Sequence, residues 1–224
     1  MKQILKSLIV LTAAFVSLTG CSKVVKNATG KYDPKTELTM YAFGIRNPKI
    51  ENKQSITEYA INNGMETGNL YAFRDSAALA GFYARKIGIP EIDIYNKDGI
   101  LMQCKNEKKC NAQDDGLIGS LDPKNNVSLD SSHNLYAFLP QIRTLDNQEV
   151  QKSDFAGYDF YIIMYWAKWG GMMNKTHVPQ WGKTIKDKTG LRIKVISLTA
   201  DYMDYWHPNE KYMFKIYDDQ FSAK

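Results

Sequence analysis

This chain is poor in the residues that most often carry chemistry. Among 224 residues there are three cysteines, Cys21, Cys104 and Cys110, and three histidines, His133, His177 and His207. Thiolates and imidazoles are the usual ligands of zinc and the usual nucleophiles and bases of hydrolytic sites, so this small set leaves little room for either. Long apolar runs are also scarce. Outside Leu8 to Leu18 no segment approaches the length that a membrane-spanning helix requires, and Leu8 to Leu18 is itself too short. The formal charge is +5 with no long basic stripe, which excludes the electrostatic footprint of a nucleic-acid-binding surface.

What is present begins with a targeting segment over residues 1–20. Lys2 and Lys6 form its basic end, and Leu8 to Leu18 its apolar stretch. It ends in Leu18-Thr19-Gly20-Cys21, which resembles the lipobox of bacterial lipoproteins, where the cysteine is lipidated and the signal is cut before it. The resemblance implies acylation of Cys21 and stable anchoring, since each buried methylene contributes about 0.8 kcal/mol. Ser22 after the cysteine implies, by the sorting pattern of many such lipoproteins, an outer membrane location facing the periplasm. Residues 21–36 are polar with Gly30 and Pro34 and read as a lipidated tether.

Two cysteines remain, Cys104 and Cys110, in MQCKNEKKCNA. An oxidising periplasm favours a disulfide between them, which would stabilise the fold by roughly 2 to 3 kcal/mol. Alternatively the pair is redox-active, because Lys105, Lys108 and Lys109 favour a thiolate. Zinc would be left short of ligands, with no histidine nearby.

Along the chain, Leu38 to Phe43 reads as a strand, followed by a helix whose apolar face is Ile56, Tyr59 and Ala60. Asn69 to Phe73 (NLYAF) reads as a second strand. Asp75 or Ser76 then caps a helix with Leu79, Phe82, Tyr83 and Ile87 on one side. Ile89 to Met102, with a turn at Asn96-Lys97-Asp98-Gly99, reads as an antiparallel hairpin. Residues 111–134 are polar, with Gly and Pro, and read as a linker. NLYAF returns at Asn134 to Phe138, where the same reading gives a strand. The order of elements is that of an α/β layer fold.

The run GIPEIDIYNKDGILM (Gly88 to Met102) resembles the second half of a thioredoxin fold, in which a cis-proline, here Pro90, opens the terminal hairpin. Leu139 to Trp169 is similar to the TlpA-like branch of that family. Asp154-Phe155-Ala156-Gly157 leads into the central strand Tyr158 to Trp166, Arg192 to Leu198 forms the next strand, and Thr199-Ala200-Asp201 ends it. The resemblance implies an α/β thioredoxin-like three-layer fold. It also implies a thioredoxin-like module over 37–110 and a TlpA-like module over 135–224, packed as one body. Only a short tail follows Asp201, so a second arrangement stays open, in which Gly88 to Met102 supplies the missing hairpin to a single rearranged sheet.

The family's redox motif is W-C-x-x-C; here the corresponding segment is WAKWGGMMNK. Aligned on Trp169, Gly170 and Met173 occupy the thiol positions; aligned on Pro179, Gly171 and Asn174 do. Neither register contains a thiol, and a thioether cannot become a thiolate, so disulfide exchange at this locus is excluded. What the scaffold would retain is a binding surface around Pro90, Tyr165, Trp166, Trp169, Gly170, Gly171, Met172 and Met173, with Trp169 exposed. The expectation is a lipid-anchored protein that binds an envelope protein or peptide, with no cofactor implied. Two alternatives stand beside it: a thiol-disulfide oxidoreductase using Cys104 and Cys110, and copper binding by Met172, Met173 and His177, since thioethers and imidazole suit Cu(I). Asp201, Asp204 and His207 read as solvated turn residues, without the nucleophile a hydrolase needs.

Overall fold

A computed structural model describes residues 49–85, 89–102, 114–123 and 129–207. Cys21, Cys104, Cys110, the strand expected at Leu38 to Phe43 and the end of the chain after His207 lie outside these residues.

The elements run β1 (Ile50–Glu51), α1 (Lys53–Asn62), β2 (Leu70–Phe73), α2 (Ser76–Arg85), β3 (Glu91–Asn96), β4 (Ile100–Met102), α3 (Asp114–Gly119), β5 (Leu129–Asn134), α4 (Leu135–Phe138), β6 (Ile142–Thr144), β7 (Phe160–Trp166), α5 (Gly171–Lys186), β8 (Ile193–Thr199) and β9 (Tyr202–Met203). Short 3₁₀ turns occupy Leu139–Gln141, Lys152–Phe155 and Lys168–Gly170. Among the described residues no helix is long and apolar enough to cross a membrane.

Local chemistry explains most boundaries. Asn52 caps α1: its side chain accepts from Ser55 N at 2.9 Å while Ser55 Oγ accepts from Asn52 N at 3.1 Å, a reciprocal capping box. Asp75 Oδ1 accepts from Ala78 N at 2.8 Å and starts α2. In the β3–β4 turn, Asn96 Oδ1 accepts from Asp98 N and Ile100 N, and Gly99 supplies a φ of 75°. The Ile89–Pro90 bond is cis, as the resemblance implied.

Seven strands form one mixed sheet in the order β5-β4-β3-β7-β8-β2-β6. Strands β7, β8 and β2 are parallel; β3 is antiparallel to β7, pairing Glu91 with Tyr165 and Asn96 with Phe160. Every residue of β7 is buried, as expected of a central strand covered on both faces. Successive side chains of a strand point to opposite faces. Tyr165 stacks on Phe82 of α2 at 4.6 Å, and Trp166 on Tyr59 of α1 at 5.6 Å, so these helices cover opposite sides. The result is the helix-sheet-helix layering of a thioredoxin-like fold.

Three expectations are corrected. Strands from both expected modules interleave in this sheet, with the hairpin β3–β4 placed directly against β7. The two modules expected to pack as one body instead share a single sheet, the second arrangement left open above, because the edge of β7 left open by its own segment is paired by the earlier hairpin. The expected linker over 111–134 contains α3 and β5. Ile118 is fully buried and Leu121 nearly so, Lys188 Nζ donates to Gly119 O, and β5 pairs with β4. Two apolar side chains within a polar stretch suffice to dock it on α5. Finally, the second NLYAF is helical: Asn134 Oδ1 accepts from Tyr136 N at 2.8 Å, and Leu135 N donates to Gly99 O at 2.8 Å.

Candidate functional site

The candidate site lies where β7 ends and α5 begins, over Ala167 to Asn174. Trp166 is wholly buried and donates from Nε1 to Ser197 Oγ at 2.9 Å. Tyr165 is also core and donates its hydroxyl to the buried Asp93 at 2.9 Å. The chain then turns through Lys168–Gly170. Pro90 precedes Glu91, the backbone partner of Tyr165, and so sits beside this end of β7.

Two buried polar side chains fasten the turn. Asn174 on α5 donates from Nδ2 to Ala167 O. Asp201, just past β8, accepts through Oδ2 from Lys168 N at 2.8 Å and from Thr199 Oγ1 at 2.6 Å. The Lys168 side chain reaches the other way, pairing with Glu51 Oε2 at 2.6 Å; Glu51 is held in turn by Ser55 Oγ. Sequence reasoning noted Asp201 only as the end of a strand and read it as solvated, whereas it is fully buried. Its place in Thr199-Ala200-Asp201, directly after a buried strand, was the available signal. Burial pushes its carboxyl up to about 7, helped by the nearby Glu51 charge and opposed by the hydrogen bonds from Thr199 and Lys168 and by the Lys168 charge.

Of the four candidate thiol positions, those at Gly170, Gly171 and Asn174 are closed as well as empty. A Cβ at Gly170 would lie 2.8 Å from Asn174 Nδ2 and 3.0 Å from its Oδ1, inside van der Waals contact. Gly171 has a φ of 59°, a conformation that a cysteine adopts only with strain. Asn174, the last candidate thiol position, fills the space under the turn.

The binding-surface residues do not all gather at the surface. Tyr165, Trp166, Gly170 and Gly171 are buried. Trp169, expected to be exposed, is half-buried with its Nε1 inside the protein, and Met173 is half-buried. Met172 is the exposed member, at 49%. The difference arises because the tight turn folds the indole of Trp169 back over the core.

The other candidates are dispersed. His177 stacks on Trp181 at 5.8 Å, and burial lowers its imidazole below the ordinary range. Met173 stands one helical turn before it, while Met172 points elsewhere around the helix. Asp204 and His207 are exposed and apart from the buried Asp201. On β5, His133 Nδ1 meets both Asp130 Oδ2 at 2.7 Å and Ser132 Oγ at 3.0 Å. One nitrogen serving both partners is not the relay of a catalytic triad, which uses both ring nitrogens. Among the described residues no three His, Cys, Asp or Glu side chains are grouped to hold a metal.

No protein-family model, curated protein or solved structure matches this chain.

Proposed function

We propose that this chain is a lipid-anchored, periplasm-facing protein of the TlpA-like thioredoxin type, redox-inactive at the usual site, that works by binding a protein or peptide of the cell envelope. The observation that carries the reading is the state of the strand-to-helix turn. The turn joins a buried central strand to a helix, with a cis-proline at the head of the adjoining strand, and on the family resemblance Gly170 and Met173, or Gly171 and Asn174, stand where the thiols would be. A turn so built can present a surface but cannot exchange a disulfide. Met172, the exposed residue of this turn, with the half-buried Trp169 before it in the chain, is the part offered to a partner; Pro90 is buried. The lipobox at Cys21 supports the anchored location.

Crosslinking of the lipidated protein in its native envelope, followed by capture, tests the reading. A specific adduct that is lost in Met172→Asp supports it, and an adduct indifferent to that substitution overturns it. The oxidoreductase alternative is decided by the reduction potential of Cys104 and Cys110. A value below about −300 mV marks a structural bridge, whereas one near −120 to −200 mV marks a working dithiol.

A further inference from the structure

Six methionines lie among the described residues: Met65, Met102, Met164, Met172, Met173 and Met203. Met65, Met102, Met164 and Met203 are core residues, none more than 8% exposed, and Met173 is half-buried. Met172 is 49% exposed. A thioether inside a close-packed core is shielded from a dissolved oxidant, whereas one at the surface is open to it. Among the described residues the chain thus keeps one open sulfur. It stands at the head of α5, between the candidate thiol positions.

We propose that Met172 is a site of reversible oxidation, which converts the apolar face of this turn into a polar one and releases the partner held there. The inference rests on reading the turn as the partner-binding face. The oxidant is a hydroperoxide such as hydrogen peroxide. A sulfur lone pair attacks one peroxide oxygen, the O–O bond breaks, and the second oxygen leaves as water with both protons. Sulfur loses two electrons and the peroxide gains them. Reversal takes two thiols of a methionine sulfoxide reductase: they close to a disulfide, and the oxygen departs as water. Neither direction needs a thiolate on this chain, so the chemistry survives at a turn where disulfide exchange does not.

Two features of the turn give the change its effect. Met172 is the exposed apolar residue of the face, and a sulfoxide replaces its apolar tip with a polar, chiral one carrying a hydrogen-bond acceptor. The core methionines are untouched by it, so the fold is kept while the face changes. The second feature is the open start of α5, which has no side-chain cap and no acidic residue in its first turn. The first N–H groups of a helix have no acceptor within it. Helical side chains lean towards the N-terminus, which turns an oxygen on the second residue of α5 towards those donors. Met173 is the natural comparison, with the same chemistry at the next position but a half-buried side chain.

The test treats the full mature chain with hydrogen peroxide and follows each methionine by peptide mass spectrometry. Met172 is expected to gain oxygen several-fold faster than Met173, Met65, Met102, Met164 and Met203, and the difference should vanish in denaturant. Oxidation of Met172 no faster than that of these five overturns the proposal. The crosslinked envelope adduct supplies the second readout. Its yield should fall several-fold once Met172 is oxidised and return after treatment with sulfoxide reductases for both epimers. In Met172→Leu, whatever the starting yield, the same treatment should cause no fall. An adduct that survives oxidation of Met172, or one that falls equally in Met172→Leu, also overturns the proposal. The two readings fail separately. Selective oxidation with no adduct in any form rejects docking, and an adduct without selective oxidation rejects the modification site alone.

Discussion

A single atom position decides what the strand-to-helix turn can do. At Gly170 a Cβ would press on the Asn174 amide at 2.8 Å, and that amide is itself fixed to Ala167 O. Restoring sulfur by Gly170→Cys with Met173→Cys is therefore expected to destabilise the protein by about 1 to 3 kcal/mol, the range for overpacking, and to give no disulfide reductase activity. Adding Asn174→Ala should recover part of the stability; denaturant titration reads both effects. Asp201 yields a prediction about pH. Its carboxyl is held near 7 in the fold against 3.8 when free, so the folded state binds the proton more tightly. Stability from this group is full below about pH 4 and is lost as pH rises to about 7, a change on the order of 4 kcal/mol. Asp201→Asn should flatten that decline and be more stable than wild type at pH 8, as thermal unfolding at several pH values will show.

Within elements, the β3–β4 hairpin has the most demanding geometry. Gly99 combines a φ of 75° with a position where a Cβ would stand 2.8 Å from the Tyr136 ring. Gly99→Ala is expected to cost about 2 kcal/mol or more, from backbone strain and the displaced ring together. Asn52 at the start of α1 offers a milder comparison: Asn52→Ala removes one half of a capping box and should cost about 1 kcal/mol. Chemical denaturation with circular dichroism distinguishes the two. The hairpin, the Asp75 cap and the buried face of α5 at Val178, Trp181 and Ile185 were readable from local patterns, whereas the Asn52 cap was not, the helix being expected to begin after Ser55. The helix α3 was not, because its few apolar residues acquire meaning only once α5 is placed beside them.

The whole molecule is tied together by its strand order. Each expected module gives strands to one sheet, and β7 is paired on one side by β3 and on the other by β8. Neither part has a closed core without the other. Unfolding followed by tryptophan fluorescence and by circular dichroism should therefore give one coincident transition, and a fragment of residues 112–224 should not fold alone. Two resolved transitions would contradict the shared sheet. The candidate site was legible as a segment, since the missing thiols in WAKWGGMMNK are a matter of sequence. The meeting of its closing residues was not: Glu51, Tyr59 and Asn174 come from three separate elements and Asp201 from the link after β8, and no spacing along the chain announces it.

The pentapeptide NLYAF marks the boundary between the two sources of information. Its composition makes both copies apolar, with the leucine and the phenylalanine buried in each, and that much the residues themselves determine through hydrophobic burial. The conformation does not follow. The copy at Asn69 to Phe73 extends because β8 and β6 offer backbone partners on both sides. The copy at Asn134 to Phe138 coils because Leu135 is drawn to Gly99 O, Asn134 caps the turn, and Pro140 cannot donate to a sheet. Likewise the chain by itself excluded a thiol at the strand-to-helix turn. Only the tertiary structure, by burying Asp201 and Asn174 against that turn, decided what stands in its place.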